Sequence, residues 1–337
     1  MARFVARRLM WLLLVLFVVS MVTFVLMRLV PGGPFATERG VPETVLRALE
    51  EKYNLNATLP EQYLKWIGDI VIPRITDDTY RPSAVNDYLI NISLDFIQED
   101  TDFRWMNFGP SLRVRSRTVN NIFQENLPIS VQLGIAALAV AMSIGVPAGV
   151  IAALNRNSFG DYAGMGVAII GVSVPVIIMG PTLQYLFGVQ WGILPVSGWG
   201  KPENVILPAF ALGFAQSALL ARLTRASLLQ VLNEDYIRTA RAKGLSERMV
   251  IIFHAMKNSL IPVVTVLGPL FAALLTGTFV TETIFGIPGM GRYFVTAVTN
   301  RDYPVIMGTI LLYAGFLVLA NMLVDILYAW LDPRIRF

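Results

Sequence analysis

Six long runs without a charged residue constrain the fold of this chain more than any other feature. A transmembrane helix needs about 20 consecutive apolar residues to cross roughly 30 Å of hydrocarbon. Only 15% of the residues are charged, against about 25% in soluble domains. The sequence therefore predicts an all-α integral membrane protein. The six predicted transmembrane helices are about 9–30, 127–154, 162–189, 204–229, 260–281 and 305–328.

The first apolar run has two interpretations, because Arg3, Arg7 and Arg8 precede it as they would precede a signal peptide. The apolar core of a signal peptide is about 7–15 residues long and is followed by a small-residue cleavage site. The run Leu9–Met27 has 19 residues and no such site before Arg28. A retained transmembrane helix is therefore predicted.

Basic residues in the short loops indicate the orientation, since cytoplasmic loops carry an excess of lysine and arginine. With the N-terminus inside, the inside segments hold 13 basic residues and the two short outside loops hold three. Both termini are therefore predicted to be cytoplasmic. The inside residues are Arg3, Arg7, Arg8, Arg156, Arg222, Arg225, Arg238, Arg241, Lys243, Arg248, Lys257, Arg334 and Arg336. The outside residues are Lys201, Arg292 and Arg301.

The stretch 31–126 is predicted to be a soluble extracytoplasmic segment, with 14 acidic and 10 basic residues. It separates an N-terminal transmembrane helix, 1–30, from a membrane core, 127–337. One helix is predicted to begin at Pro60, a residue type suited to the first helical turn. The apolar residues of about 70–105 follow neither helical nor strand spacing, and the aromatic residues among them predict a small added subdomain. A further helical face is predicted from Val45, Leu46, Leu49 and Tyr53.

A helical hairpin is predicted at 233–260, between the fourth and fifth spans. Asn233 is a suitable helix cap, and acidic residues follow it in the first turn, where the helix dipole favours anions. Gly244 follows the last turn, and glycine is the residue type that most readily ends a helix in the left-handed conformation. Ser246 can cap a second helix that continues to Pro262. Residue chemistry alone leaves two interpretations open: a docking surface for a partner, or a basic interfacial loop that fixes topology.

The sequence of this hairpin resembles a known signature. The run Asp235–Arg248, followed by His254, Lys257–Asn258 and Leu260–Pro262, is similar to the coupling loop of binding-protein-dependent ABC permeases, in the form typical of dipeptide and oligopeptide permeases. Arg238 stands where many other importers carry glutamate. Further motifs of that family occur in the same order: Arg7–Leu9, Arg28–Gly32, Phe108–Leu112, Leu194–Trp199, Arg222–Ser227, Glu282–Arg292, Asn300–Pro304 and Asp332–Phe337.

The resemblance implies the permease fold and a role as the first, B-type permease subunit of an ATP-driven importer in a bacterial or archaeal inner membrane. It further implies a second homologous permease, two ATP-binding-cassette ATPases and an extracellular substrate-binding protein as partners. Peptides are the implied cargo, while nickel or oligosaccharides remain alternatives. The implied ATPase-coupling residues are Glu234, Asp235, Tyr236, Arg238, Thr239, Ala240, Arg241, Lys243, Gly244 and Leu245. One departure is an insertion of about 35 residues between the helix of Tyr63 and Trp66 and the Phe108–Gly109 motif.

A translocation path or gate is predicted at the external end of the fifth span, around a glutamate beside a glycine- and proline-rich stretch. The candidate residues are Glu282, Phe285, Pro288 and Gly289. Glu282 has a second interpretation, as a cap for the interfacial loop. Arg222 and Arg225 are predicted to extend to the cytoplasmic headgroups rather than to contact substrate. Helix bends are predicted at Pro175, Pro181, Pro262 and Pro269.

Several other functional classes are disfavoured by the composition. The chain has no cysteine and one histidine, His254, so thiolate and paired-histidine metal sites are excluded. It lacks the phosphate-binding motif of ATPases, so no cofactor is expected on this chain, and ATP and Mg²⁺ are expected on the partner ATPases. The uncharged runs offer neither the relay residues of a secondary transporter nor the acid–base pair of an enzyme. The small excess of basic over acidic residues is explained by contact with the lipid bilayer, so it does not indicate nucleic-acid binding.

Overall fold

The computed structural model describes residues 2–30, 34–35, 47, 51, 55–77, 88–94, 101–114 and 117–331. Helices dominate these ranges. They are α1 (Ala2–Leu29), α2 (Leu59–Val71), α3 (Val119–Leu154), α4 (Phe159–Ser173), α5 (Val176–Leu183), α6 (Glu203–Val231), α7 (Asp235–Ala242), α8 (Glu247–Met249), α9 (Met256–Ser259), α10 (Ile261–Phe285), α11 (Met290–Asn300) and α12 (Tyr303–Leu331). Two π-helical segments, Gln184–Gln190 and Val250–Ala255, follow α5 and α8.

Five of the described helices are long and apolar enough to cross a membrane: α1, α3, α6, α10 and α12. A sixth span results if the bent pair Phe159–Ser173 and Val176–Gln190 is counted as one. The all-α membrane fold predicted from the sequence is confirmed. Large apolar side chains along α1, such as Leu13 and Leu26, are more than half exposed, as expected for a helix surrounded by lipid.

The predicted third span corresponds to a bent pair of helices, Phe159–Ser173 and Val176–Gln190, inclined at 101°. The break falls at Val174, which is extended (φ −99°, ψ 111°) and precedes Pro175. A residue before proline avoids the helical region because the proline ring clashes with it. The predicted bend at Pro175 is thus confirmed. Pro262 instead lies in the first turn of α10, where its missing N–H costs no helical hydrogen bond.

Several helices are longer than the apolar runs that predict them. The helix α3 begins at Val119 rather than near 127 and carries two buried asparagines. Asn120 accepts a hydrogen bond from Phe108 N and donates one to Met106 O. Asn126 donates to Ile122 O. Hydropathy marks the part of a helix that lipid surrounds, whereas satisfied polar side chains allow the helix to continue beyond it.

The described residues between α2 and α3 include three short strands, and the predicted subdomain at about 70–105 stays a prediction. The described part contains a three-stranded antiparallel sheet in the order β1-β3-β2, with strands β1 (Arg74–Asp77), β2 (Ile90–Ser93) and β3 (Thr101–Trp105). The predicted helix start at Pro60 is confirmed by α2. The predicted helical face of Val45, Leu46, Leu49 and Tyr53 lies outside the described residues. Neither the strands nor α11 were predicted, because short amphipathic elements leave little signal in a single sequence.

Two compact units make up the chain. One contains 1–8, 130–291 and 316–337, and the other contains 9–129 and 292–315. In the first unit the helices approach closely through small residues: a Cβ added to Gly145 or Gly149 of α3 would overlap the backbone of α6 at Ser217 or Ala221. Small residues at such positions are typical of membrane helix packing. The predicted division into 1–30, 31–126 and 127–337 stays a prediction.

Candidate functional site

The hairpin 233–260 begins where α6 ends. Asn233, predicted as the cap of the next helix, donates its side-chain amide to Leu229 O at 2.8 Å and so completes the last turn of α6. The following helix, α7, begins at Asp235 with Glu234 in the extended cap position and without a side-chain cap bond. The cap prediction for Asn233 is therefore wrong, because its amide is already engaged by the preceding helix.

Gly244 forms the turn between the two helices of the hairpin. Its φ is +77°, and nothing lies within 4 Å of where a Cβ would be. The Gly244 N–H donates to Arg241 O at 2.9 Å, which closes the end of α7. Ser246 then takes the N-cap position of α8. The predicted left-handed glycine and the predicted second helix start are both confirmed.

One face of the hairpin is packed and the other is exposed. Ile237 and Ala240 are buried in an apolar cluster with Leu228 and Val250, and Leu245 packs against the same cluster. Ala240 and Leu245 therefore hold the hairpin in place. The other predicted coupling residues are exposed: Glu234, Asp235, Tyr236, Arg238, Thr239, Arg241, Lys243 and Gly244.

Polar contacts fix the two arms of the hairpin to each other. The Arg241 guanidinium donates to both carboxylate oxygens of Glu247, at 3.1 and 2.6 Å. Asn258 donates to the Tyr236 hydroxyl at 2.8 Å. The hydrogen bond from Arg241 lowers the pKa of the Glu247 carboxyl. The stability that this pair contributes is therefore present at neutral pH and is lost as the pH falls through the lowered pKa. Both side chains are about half exposed, so the contribution stays below about 1 kcal/mol.

An exposed apolar patch within the second arm of the hairpin was not predicted from the sequence. Met249, Ile252 and Phe253 are exposed, with Phe253 at 69%. In a regular α-helix, Met249, Val250, Phe253 and Met256 would share one face. The π-helical segment Val250–Ala255 changes the angular spacing, since its bonds run from i to i+5. Val250 is buried and Phe253 turns outward.

The predicted gate residues lie in a tightly bonded cluster. The Glu282 carboxylate is fully buried and accepts hydrogen bonds from Ser130 Oγ and from Gly291 N, each at 2.6 Å. Ser130 Oγ also accepts a hydrogen bond from Met290 N at 2.9 Å. A Cβ at Gly289 would overlap the Glu282 carboxylate. This geometry matches the loop-cap interpretation of Glu282.

Phe285 and Pro288 belong to the same loop region. The Phe285 side chain is 2% exposed, and its carbonyl accepts a hydrogen bond from Gly198 N at 3.0 Å. Pro288 lies between Ile287, which is 1% exposed, and Gly289. The path-or-gate assignment of these residues stays a prediction.

The two arginines of the 222–227 motif have different environments. Arg225 donates from Nε and Nη2 to the two carboxylate oxygens of Asp161, at 2.7 Å each, and so joins α6 to the first turn of α4. Arg222 is exposed and lines a small cavity with Met165 and Ile169. Asp161 holds the Arg225 guanidinium, and the prediction that both arginines extend to the headgroups stays a prediction. Asp161 was not singled out from the sequence.

No group of histidine, cysteine or carboxylate side chains that could hold a metal ion occurs within the described residues.

Comparison with known proteins places the hairpin within a family. The family model for the binding-protein-dependent transport system inner membrane component matches residues 145–337, which include α6, the hairpin and α10. The chain belongs to this family. The model for the N-terminal part of such membrane components matches residues 1–85.

Curated relatives of this inner membrane component are similar over the whole chain. The dipeptide transport system permease protein DppB of Bacillus subtilis (strain 168) is 41% identical, covering 100% of this chain and 98% of its own length. The oligopeptide transport system permease proteins OppB of Haemophilus influenzae and Salmonella typhimurium are each 39% identical, with 100% of both chains covered.

Solved structures agree on the fold. A chain of the MetNI methionine ABC transporter, in inward-facing conformations, has a TM-score of 0.51 at 17% identity and covers 63% of this chain and 96% of its own. A second crystal form of that transporter gives 0.53 at 16% identity, with the same coverage. At 16–17% identity, this likeness supports the fold alone.

Proposed function

We propose that this chain forms part of the translocation path of an ATP-driven peptide importer. The cargo assignment rests on one observation: relatives that match the whole chain at 39–41% identity are named dipeptide or oligopeptide permeases. Nickel and oligosaccharides, the alternative cargoes, have no comparable support among these relatives.

The hairpin 233–260 is the proposed ATPase-coupling element. Its packed face fixes it to α6 through Ile237 and Ala240, while its polar face is exposed. Gly244, with φ +77°, gives the tip a backbone conformation that side chains other than glycine rarely adopt. A partner that binds the exposed face can therefore move α6 and α10 through a short, rigid connection.

The proposed partners are those of a binding-protein-dependent importer. They are two ATP-binding-cassette ATPases that carry ATP and Mg²⁺, a second homologous permease, and an extracellular substrate-binding protein. ATP-driven closure of the ATPases moves the two hairpins and switches the cavity between the permeases from inward- to outward-facing. This chain supplies the path and the mechanical linkage, and its partners supply the chemistry.

The proposed topology places both termini and the hairpin in the cytoplasm, and the segment 31–126 outside. It rests on the distribution of lysine and arginine between the short loops. Five apolar helices, together with the bent pair counted as one span, give the even number of crossings that this arrangement needs.

A proton-coupled secondary transporter is the competing function. Such a protein needs an ionisable group that can exchange protons within the span. Glu282 lies near the end of α10, where Ser130 Oγ and Gly291 N both donate to its carboxylate. These contacts favour an anchoring role over a relay.

Reconstitution tests the proposed function. The purified chain alone should hydrolyse no ATP, since it lacks a phosphate-binding loop. Together with its two ATPases and the second permease in proteoliposomes, it should support ATP hydrolysis that is stimulated by peptide-loaded binding protein. Uptake of labelled peptide should require ATP. Peptide uptake driven by a proton gradient without ATP would contradict the proposal.

A further inference from the structure

The helix α2 lies beside the C-terminal half of α1 rather than beyond its end. The Tyr63 hydroxyl is 2.8 Å from Ser20 Oγ, in a hydrogen bond between the two helices. The Tyr63 ring meets the rings of Phe17 and Phe24 edge to face, at centre-to-centre distances of 6.3 and 5.3 Å. Ser20 and Phe24 are 1% and 3% exposed. These contacts fix the height of α2 along α1.

The charged residues of α1 give the depth of these contacts in the membrane. No charged residue lies between Arg8 and Arg28. At 1.5 Å per residue this run is about 30 Å long, which is the thickness of the hydrocarbon core, so Arg28 marks its boundary. Ser20 precedes Arg28 by eight residues, and its depth inside that boundary is therefore about 12 Å along the helix axis. The side chain of Tyr63 thus lies within the hydrocarbon.

A second contact of α2 indicates the same depth. Trp66 packs against a buried cluster that contains Phe24, Tyr303 and Met307. Tyr303 and Met307 belong to the first two turns of α12, the last apolar helix of the chain. Both helices that α2 contacts therefore place it at the level where the membrane spans end, and not in a domain above the membrane.

Two exposed sides of α2 differ in polarity. Leu64 and Val71 are seven residues apart and so share one side of the helix, where they are 65% and 57% exposed. Glu61, Lys65 and Asp69, spaced by four residues, form a separate charged stripe. A helix with one apolar and one charged side is typical of segments that lie in the plane of the membrane–water interface.

Lipid is the surrounding that matches the apolar side of α2. At the same height on α1, Met21 and Val22 are each 50% exposed, as side chains that face acyl chains would be. The apolar side of α2 continues this lipid-facing surface. Acyl chains are as apolar as leucine, so Leu64 and Val71 need no protein partner at this depth.

We propose that α2 is an interfacial helix embedded in the leaflet that surrounds the C-terminal half of α1, with Leu64 and Val71 against acyl chains. Its charged stripe faces the headgroups, to which the long Lys65 side chain extends. The sequence alone predicted a soluble segment throughout 31–126, and α2 is the part of that segment that the membrane holds. This inference goes beyond the proposed function, since it depends on α1 as a membrane span and not on the cargo.

Fluorescence quenching in the assembled transporter tests this position. The chain has no cysteine, so Leu64→Cys, Val71→Cys and Lys65→Cys can each carry one nitrobenzoxadiazole label before assembly with the partner subunits. In vesicles that contain doxyl-labelled phosphatidylcholine, the labels at positions 64 and 71 should lose as much fluorescence to the doxyl lipid as a label on Val22→Cys. Iodide in the water should not quench them. Lys65→Cys is the matched control on the charged side of the same helix, and its label should be quenched by iodide.

Two results would overturn the proposal. Iodide quenching at positions 64 and 71 that equals the quenching at position 65 would place α2 in water. Shielding of both labels from iodide and from the doxyl lipid would show that a protein surface, such as the second permease, covers this side of the helix. The label on Val22→Cys reports on membrane insertion of the chain in every sample, so a misfolded preparation is recognised independently of α2.

Discussion

At the scale of single residues, backbone conformation and burial decide which positions tolerate change. Gly244 is exposed and has empty space around it, yet its φ of +77° excludes most side chains. Glu282 is in the opposite situation, since it is fully buried and its carboxylate is held by hydrogen bonds. Residue type alone does not distinguish these two reasons for intolerance.

Gly244→Val should strain the hairpin by about 1–2 kcal/mol, the usual cost of a left-handed conformation in a β-branched residue. No clash contributes, because an added Cβ meets nothing within 4 Å. Membrane insertion should survive, whereas peptide transport should fall and the ATPases should detach or hydrolyse ATP without regard to substrate. Uptake and ATPase assays on the reconstituted complex measure this.

Ala242→Val is the control for that substitution, since Ala242 is exposed and, as the last residue of α7, has helical backbone. It should transport almost normally. Normal transport by Gly244→Val with its ATPases attached would mean that the hairpin is only a topological loop.

Glu282→Gln should lower the thermal stability of the detergent-solubilised chain. The substitution removes the charge that strengthens two hydrogen bonds and turns one acceptor into a donor, at a cost of about 1–3 kcal/mol. Gly289→Ala should be at least as severe, because its new methyl group overlaps the Glu282 carboxylate. Exposed Glu203 offers the control Glu203→Gln, which should unfold at the wild-type temperature. A fully stable Glu282→Gln variant with altered transport would favour the path interpretation instead.

At the scale of helices, hydrogen bonds between polar side chains connect the end of one apolar helix to its neighbour. The first turn of α4 is linked to α6 through Asp161 and Arg225. Asn157 N donates to the same carboxylate at 3.0 Å. This link keeps α4 against α6, the helix that leads into the hairpin.

Arg225→Gln should lower the melting temperature of the chain, because it leaves the Asp161 carboxylate, which is 5% exposed, without its cation. Arg222→Gln, three residues away, should cost less than about 1 kcal/mol, since Arg222 is exposed. Thermal unfolding of the two variants in the same detergent measures the difference. Equal melting temperatures would show that the Asp161 contact adds nothing to stability.

At the scale of the whole molecule, the proposed topology places the small sheet and the hairpin on opposite sides of the membrane. The sheet follows the first span, and the hairpin lies between α6 and α10. Because the chain contains no cysteine, a single introduced thiol reports on one site without background.

Ile92→Cys should react with a membrane-impermeant maleimide in intact cells, since Ile92 is 53% exposed in β2. Arg238→Cys should react only after permeabilisation, although the Arg238 side chain is 70% exposed. Gel-shift labelling measures both. The reverse pattern would overturn the orientation and place the hairpin outside the cell.

The candidate site was predictable from the sequence to the extent that it depends on local backbone preferences. Gly244 after a basic helix end, and Ser246 two residues later, specify a tight turn between helices, and the structure has that turn. The exposure of Phe253 was not predictable in this way, because the π-helical segment Val250–Ala255 changes the direction in which its side chains point. The same applies to Asn233, whose amide bonds to the preceding helix.

The sequence by itself determined the membrane class, the apolar segments and the place of the hairpin, because hydropathy, loop charge and glycine conformation are properties of neighbouring residues. Only the tertiary structure decided which polar residues meet. Asp161 and Arg225 are 64 residues apart, and Ser130 and Glu282 are 152 apart. Such pairings depend on the packing of distant helices, which short-range patterns do not encode. For the same reason the hydrogen bond between Tyr63 and Ser20 became visible only in the folded chain.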